Sequence, residues 1–187
     1  IVGQNTDYIG FKNAFYAKFR IDHTINEHRA IVLGYGGAAK AIIYSLISMG
    51  YNQVLVFNRT FDKVKNLKSH FTKNNPNLFG CDLESHPLKE LPKKIRSAEL
   101  IINTTPTNTL NNKIDWNIGK NVIGFDVVYR PREGTGFLKN FNPKYRIEGI
   151  QMLVYQAAPC FKLWFGKKPE IDEGLFDILY KKMDENK

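Results

Sequence analysis

The sequence predicts an α/β domain, a doubly wound parallel sheet with helices on both faces. Short apolar runs alternate with longer stretches of helical periodicity along most of the 187 residues. The runs are continuous in β-branched and aliphatic residues, which is typical of parallel strands buried on both faces. Parallel neighbours need crossover connections, and the helical stretches between the runs are long enough to provide them.

The first half of the chain carries the clearest unit of this kind. The predicted elements are a helix at 6–19, a strand at 29–34, a helix at 37–49, a strand at 53–57, a helix at 62–71 and a strand at 78–80. Asn5 or Thr6 is suited to cap the first helix. Apolar positions recur at helical spacing through the second helix, and Gly50 then closes it as a C′ glycine does.

The second half continues the alternation and then changes character. The predicted elements are a helix at 87–94, strands at 99–103 and 121–126, and helices at 135–140, 150–165 and 171–183. The helix at 150–165 is apolar on most sides, whereas the helix at 171–183 is amphipathic. These last two helices therefore lie outside the strand-helix pattern of the sheet.

Charge and hydropathy narrow the classes of function. The chain carries 27 Lys and Arg against 18 Asp and Glu, a formal net charge of +9. The basic residues are scattered rather than gathered in an arm or a stripe with interleaved aromatics, so nucleic-acid binding is not expected. No apolar run reaches the roughly 18 residues of a membrane-spanning helix, so no membrane association is expected. The positive charge suits an anionic cofactor and an anionic substrate.

The cysteines and histidines indicate neither a disulfide framework nor a metal site. Cys81 and Cys160 fit no CxxC spacing, so we expect unpaired thiols in a reducing cytoplasm. The histidines show no metal-ligand spacing, and no metal is predicted. The first residues lack the features of a secretory signal, and they also lack a starting methionine. We therefore expect the chain to be part of a longer protein.

A glycine-rich turn follows the first predicted strand and opens the next helix. In Gly34-Tyr35-Gly36-Gly37-Ala38-Ala39 the first glycine allows a tight turn, and Gly36 lets a pyrophosphate approach the backbone. The small Ala39 lets the helix pack closely on the strand. Free N–H groups at the helix N-terminus favour the phosphates. Because the strand and helix are in the required order, the motif predicts a dinucleotide site.

The end of the second strand predicts which dinucleotide is bound. An NAD enzyme usually places Asp or Glu there to hold the ribose 2′-hydroxyl, but this chain has Asn58-Arg59-Thr60, with Lys63 one helical turn further on. A guanidinium binds a 2′-phosphate in a bidentate fashion and stacks on adenine. We therefore expect NADP, although the carboxylate of Asp62 leaves a 2′-hydroxyl contact open.

Several more motifs occur along the chain, before and after the glycine-rich turn. They are Asn5-Thr6-Asp7, Asn103-Thr104-Thr105, Asp126-Val127-Val128-Tyr129 and Gly149-x-x-Met152-x-x-x-Gln156. Together with the glycine-rich turn, they resemble the shikimate dehydrogenase family in order and spacing over essentially the whole chain. The resemblance implies a Rossmann-like fold that binds NADP. It also implies reversible, NADPH-dependent reduction of 3-dehydroshikimate to shikimate in aromatic amino acid biosynthesis.

The resemblance also implies roles for individual residues. Asp7 matches the aspartate that pairs with a catalytic lysine and binds substrate, Gln156 matches a substrate-contacting glutamine, and Tyr129 borders the substrate. The cofactor-binding positions are Gly34, Gly36, Gly37, Ala38, Ala39, Asn58, Arg59, Thr60, Lys63, Asn103, Thr104, Thr105, Val127, Gly149 and Met152. In the family the lysine lies in a preceding substrate domain that nothing here matches. We therefore expect this chain alone to bind NADP without turnover.

We divide the chain into three parts on this basis. Residues 1–28 form a linking helix with the Asn-Thr-Asp motif, residues 29–149 form the NADP-binding domain, and residues 150–187 form helices that return toward the substrate domain. The outer helices would pack on that absent domain. Self-association is therefore expected through an exposed apolar patch of Phe11, Phe15, Phe19, Leu175, Phe176 and Leu179.

Two alternatives remain open at this point. One is a quinate/shikimate dehydrogenase that accepts NAD, and the other is a non-catalytic nucleotide-binding protein on the same fold. Two departures from the family pattern bear on the cofactor pocket. Tyr35 stands where a small residue is usual, and Gln151 stands where many members have glycine.

Overall fold

The computed structural model describes residues 3–21, 28–74, 80–106, 110, 114–129 and 135–185. Its strands are β1 (Arg29–Leu33), β2 (Gln53–Asn58), β3 (Asp82–Pro87), β4 (Leu100–Asn103), β5 (Ile123–Asp126) and β6 (Arg146–Ile147). Its α-helices are α1 (Asp7–Lys18), α2 (Gly37–Ser48), α3 (Leu67–Asn74), α4 (Leu91–Lys94), α5 (Gly149–Phe165) and α6 (Glu173–Glu185). Short 3-10 helices lie at Phe61–Lys63, Leu88–Glu90, Ile95–Ser97, Phe137–Asn140 and Pro143–Tyr145. None of the described helices is long and apolar enough to cross a membrane.

The six strands form one parallel sheet in the order β3-β2-β1-β4-β5-β6. β1 pairs with β2 on one side and with β4 on the other, so Ile31 lies opposite both Leu55 and Ile101. The strand order reverses between β1 and β4. In sheets of this kind, the crevice at that reversal is where ligands bind, beside the carboxyl ends of the strands. The predicted doubly wound fold is confirmed.

Each face of the sheet has its own apolar core, because alternate strand residues point to opposite sides. On one face Val32 and Val56 pack with α1, α2, α3 and α5. On the other face Leu33 and Phe57 pack with α4 and with neighbouring 3-10 turns. Helical segments therefore cover both faces, but short turns rather than long helices cover the second.

Helices α1 and α5 cross closely, and Gly10 makes the crossing possible. A Cβ atom on Gly10 would lie 2.6 Å from Cβ of Gln156 and 2.8 Å from the carbonyl oxygen of Met152. At the N-cap of α1, the hydroxyl of Thr6 lies 3.5 Å from Sγ of Cys160, further along α5. The two helices therefore run antiparallel.

Two of the phenylalanines expected in an exposed patch are buried. Phe11 and Phe15 are 0% and 1% exposed, and Phe19 packs partly buried against the same core. The expectation was wrong for the first two because α1 lies directly on the sheet, where the Phe11 ring is 4.9 Å from that of Phe125. Leu175, Phe176 and Leu179 of α6 are half-buried rather than exposed. The large apolar side chains of α5 and α6 that are exposed are Phe161, Leu163, Trp164, Phe165 and Ile178.

Some element boundaries differ from the expected ones. β3 begins at Asp82, and Gly80 forms a turn with a φ of +102°, so the strand expected at 78–80 is displaced, its other residues being outside the described ranges. The helix expected at 62–71 is α-helical only from Leu67, after a 3-10 turn. The two-residue strand β6 was not predicted.

Candidate cofactor site and the adjoining helix pair

The loop after β1 requires glycine at its first position for two reasons. Gly34 has a φ of +104°, a left-handed conformation that side chains disfavour. A Cβ atom there would also lie 2.4 Å from Oγ1 of Thr104. That hydroxyl donates to the carbonyl oxygen of Leu33 at 2.7 Å, while the amide of Gly34 donates to that of Phe57 at 2.8 Å. The turn thus ties together the ends of β1, β2 and β4.

The next two glycines leave open space at the N-terminus of α2. A Cβ atom on Gly36 or Gly37 would meet no heavy atom within 4 Å. Gly36 is the N-cap, no side chain caps the helix, and its first turn contains no acidic residue. The first N–H groups of the helix are therefore available to an anion. Ala39 is fully buried, so the third position of the motif serves helix packing as predicted.

The segment after β2 presents its cations to solvent. Nδ2 of Asn58 donates to the carbonyl oxygen of Thr60 at 2.8 Å, which shapes the turn that carries the exposed Arg59. Lys63 is exposed in the following 3-10 turn. Among the described residues, neither Arg59 nor Lys63 has a carboxylate within 4.0 Å.

The carboxylate of Asp62, which left a ribose contact open, has a partner of its own. Nζ of Lys65 lies 3.2 Å from Oδ1 of Asp62, and both side chains are mostly exposed. An exposed pair of this kind adds little to stability. It does offset the negative charge beside Arg59, which favours an anion over a neutral hydroxyl at this place.

A buried polar network joins the carboxyl ends of β4 and β5. Asp126, 1% exposed, accepts hydrogen bonds from Nδ2 of Asn103 (3.0 Å), the amide of Val128 (3.1 Å) and the hydroxyl of Thr135 (2.6 Å). Burial raises the pKa of Asp126, and these hydrogen bonds oppose that rise. Three donors offset part of the cost of burying a carboxylate. The network thereby fixes the chain that leaves β5.

The predicted cofactor residues at the end of β4 have internal partners in the structure. Oδ1 of Asn103 accepts from both the amide and the hydroxyl of Thr105, at 3.0 and 2.6 Å. Thr104 is committed to the carbonyl oxygen of Leu33. Their direct contact with a cofactor stays a prediction, whereas their support of the glycine loop and of the segment after β5 is part of the fold.

The start of α5 approaches the segment after β5 very closely. A Cβ atom on Gly149 would lie 2.5 Å from the carbonyl oxygen of Val127, so only glycine fits without a backbone shift. Glu148 and Gln151 form a capping box, in which Oε1 of Gln151 accepts from the amide of Glu148 at 3.1 Å. Glutamine at 151 therefore caps the helix, a role that the sequence analysis missed.

The remaining predicted site residues border this edge in different ways. Met152 is buried in the core beneath α5, whereas the ring of Tyr129 is 42% exposed beyond the end of β5. Val127 is half-buried, and its amide donates to the carbonyl oxygen of Asn103 at 3.0 Å. Their roles toward ligands stay predictions.

Asp7 and Gln156 belong to the α1–α5 pair. Asp7 is half-buried in the first turn of α1, between Thr6, whose hydroxyl lies against Cys160, and Gly10, which packs on Gln156. Its amide donates to Oδ1 of Asn5 at 2.8 Å, so Asn5 caps the helix and Thr6 does not. Gln156 is half-buried where α5 passes Gly10. The fold therefore brings both predicted substrate residues to one helix crossing.

Metal ligation finds no support in the described residues, where no three His, Cys, Asp or Glu side chains are grouped to hold an ion. The hydrogen bond from Thr135 to Asp126 was likewise not predicted from the sequence. The only available signal was an acidic residue at the end of a strand, beside Asn103 on the neighbouring strand.

Two family models match this chain. One, described as Shikimate / quinate 5-dehydrogenase, matches residues 16–115, and the other, described as Shikimate 5′-dehydrogenase C-terminal domain, matches residues 149–173. The shikimate dehydrogenase (NADP(+)) of Rhizobium rhizogenes is 34% identical over 165 residues, 85% of this chain and 54% of the relative. That of Caldicellulosiruptor bescii is 36% identical over 174 residues, 88% of this chain and 56% of the relative.

Solved structures of the same family share the fold. Shikimate 5-dehydrogenase of Listeria monocytogenes, crystallised with shikimate and NAD, has a TM-score of 0.74 at 23% identity, covering 95% of this chain and 63% of that one. Shikimate dehydrogenase of Aquifex aeolicus has a TM-score of 0.64 at 28% identity, covering 89% and 57%. The chain spans little more than half of the length of the two curated relatives from Rhizobium rhizogenes and Caldicellulosiruptor bescii. With a family model matched over more than half of its residues, the chain belongs to the shikimate dehydrogenase family.

Proposed function

We propose that this chain is the NADP-binding part of a shikimate dehydrogenase, which interconverts 3-dehydroshikimate and shikimate. The supporting observation is the N-terminus of α2, where the Cβ positions of Gly36 and Gly37 face open space and no acid occupies the first turn. An anionic dinucleotide fits there, because the free N–H groups and the helix dipole both favour phosphate. Bound NADPH would supply the hydride for reduction of the ketone.

Arg59 and Lys63 would hold the ribose 2′-phosphate and so select NADP over NAD. Both are exposed, and no described carboxylate pairs with either. If each charge-assisted contact contributes as usual, the preference is roughly 1–3 kcal/mol. That free energy corresponds to about five- to 150-fold in affinity.

A fluorescence titration of the chain with NADPH and, separately, with NADH tests the cofactor proposal. We expect tight binding of NADPH and weak binding of NADH. Arg59→Met should remove most of the preference, whereas Arg96→Met, an equal loss of charge at an exposed arginine elsewhere, should keep it. Equal affinity for the two cofactors would instead favour the quinate/shikimate alternative that accepts NAD.

Asp7 and Gln156 would form one wall of the substrate pocket. The carboxylate of Asp7 can accept a hydrogen bond from a substrate hydroxyl and orient a lysine supplied from outside these 187 residues. The amide of Gln156 can donate and accept, which suits a substrate with several hydroxyls. Both residues lie on the packed helices α1 and α5, Gln156 at the crossing with Gly10 and Asp7 one helical turn before Gly10, which supports this assignment. A non-catalytic nucleotide-binding protein would need neither.

We infer that these 187 residues bind the cofactor without turning over substrate by themselves. The relatives they match are longer, and a reaction needs both of its partners held in place. Shikimate-dependent formation of NADPH by the chain alone would refute this part of the proposal and leave the cofactor assignment standing. The division at 28/29 and 149/150 stays a proposal of the same kind.

We also propose that the isolated chain self-associates through the groove between α5 and α6. The groove has a volume of about 360 Å³ and apolar walls, and Trp164 beside it is 76% exposed. A patch of this type usually marks an interaction surface. A single monomeric species in sedimentation at high concentration would contradict it.

The unpaired thiols of Cys81 and Cys160 suit a reducing compartment, so we propose the cytoplasm as location.

A further inference from the structure

A lysine and a tyrosine that the glycine motif does not require meet at the dinucleotide loop. Nζ of Lys40 lies 5.2 Å from the ring centroid of Tyr35, within the range of a cation–π contact. Tyr35 is the residue between Gly34 and Gly36, so its ring is part of the turn itself. The ring is half-buried and packs against the core on the α1 face, which limits its motion.

The backbone places Lys40 in the first turn of α2, next to the glycine-rich loop. Its amide donates to the carbonyl oxygen of Gly36 at 3.2 Å, so the residue lies one helical turn beyond the N-cap. Side chains on a helix lean toward its N-terminus. The stem of Lys40 is therefore expected to run back toward the N-terminus of α2, and its ammonium lies over the ring of Tyr35, the residue that precedes Gly36.

The charge of Lys40 has no carboxylate partner within the described part of the chain. The first turn of α2 also contains no acid that could neutralise it. A cation held by an aromatic ring, rather than by a counter-ion, keeps its full attraction for an incoming anion. Within one helical turn of Lys40, the Cβ positions of Gly36 and Gly37 face open space that could hold such an anion.

We propose that Lys40, held in place by Tyr35, binds the pyrophosphate of the dinucleotide. This inference rests on the proposed function and divides the work among the cations of the site. Arg59 and Lys63 serve the 2′-phosphate and decide between NADP and NAD. Lys40 strengthens the binding of both dinucleotides by the same factor and takes no part in the choice. Tyr35 is a positioning residue, which explains why a bulky ring is compatible with this loop.

The test is a titration of four proteins with NADPH and NADH by fluorescence: the unaltered chain, Lys40→Met, Tyr35→Leu and Lys89→Met. Lys89 is an exposed lysine in the 3-10 turn Leu88–Glu90 and serves as the control for lost charge. We expect Lys40→Met to lower the affinity for both cofactors by a similar factor, about three- to tenfold. The loss should shrink near 1 M salt, where charges are screened within about 3 Å. Tyr35→Leu should cause part of the same loss, and Lys89→Met none.

Adenosine 2′-phosphate provides a second probe, because it carries the 2′-phosphate but no pyrophosphate. Its affinity should be unchanged in Lys40→Met and lowered in Arg59→Met. A loss confined to NADPH, or one shared by adenosine 2′-phosphate, would place Lys40 at the 2′-phosphate and overturn the inference. Unchanged affinity for both dinucleotides in Lys40→Met would overturn it as well, while the NADPH preference of the unaltered chain would still support the proposed function. If the unaltered chain bound neither dinucleotide, both proposals would fail together.

Discussion

Replacing Gly10 by alanine should separate the two helices that carry Asp7 and Gln156. The new Cβ would lie 2.6 Å from that of Gln156, about 0.8 Å short of the 3.4 Å at which ordinary van der Waals contact begins. A second overlap, 2.8 Å from the carbonyl oxygen of Met152, involves backbone and leaves no side-chain rotation as an escape. Either α1 or α5 must therefore move.

The size of the effect follows from two opposing contributions. Overpacking a well-packed contact costs about 1–3 kcal/mol. Alanine in a helix interior recovers up to about 1 kcal/mol relative to glycine. We therefore expect Gly10→Ala to lower the free energy of unfolding by up to about 2 kcal/mol, measured by urea denaturation.

Gly37→Ala is the matched control for this experiment. It makes the same chemical change in a helix, but its Cβ faces open space. Its stability should be unchanged or slightly raised, whereas its affinity for NADPH should fall because the methyl group intrudes on the phosphate site. If Gly10→Ala proved as stable as Gly37→Ala, the close crossing of α1 and α5 would not be a tight contact and the reasoning would be wrong.

Three further predictions concern buried or paired groups. Burial raises the pKa of Asp126, so ionisation of its carboxyl group disfavours the folded state. The stability of the unaltered chain relative to Asp126→Asn should therefore fall as pH rises above about 4. A stability difference that does not change with pH in urea denaturation would contradict this. Burial acts to raise the pKa of Glu84, but hydrogen bonds from His86 and Lys94 outweigh it and lower the pKa. The unaltered chain should therefore lose stability relative to Glu84→Gln as pH falls below about 4. Equal acid sensitivity of the two proteins would exclude the effect. Burial and the charge of a neighbouring aspartate raise the pKa of Cys81 to about 11. In a Cys160→Ser background, alkylation of Cys81 near pH 8 should be about 100-fold slower than that of an ordinary thiol. Rapid labelling would show that the Cys81 thiol is not buried in this way.

The local parts of the fold were predictable because each depends on a few neighbouring residues. The strand ending at Leu33, the tight turn at Gly34 and the packing role of Ala39 all follow from one short segment, and the structure has them where expected. Parallel strands buried on both faces have a composition that few other elements share.

The parts that failed depend on contacts between distant residues. Phe11 and Phe15 form an apolar helix face, and the sequence does not specify whether such a face covers the sheet or another domain. The bond between Asn103 and Asp126 joins residues that lie 23 positions apart and meet only because β4 and β5 are neighbours. The two-residue strand β6 is too short to carry a periodic signal.

The contacts at Gly149 and Gly10 give α5 a second role, as a fixed spacer. One contact holds its first turn against the carbonyl oxygen of Val127, and the other holds the turn of Gln156 against α1. Gln156 lies seven positions after Gly149 in the helix, a rise of about 10 Å. If cofactor and substrate bind as proposed, the distance between their contacts is set by the length of this stretch of one helix. Any closing movement would then shift both contacts together and leave their spacing unchanged.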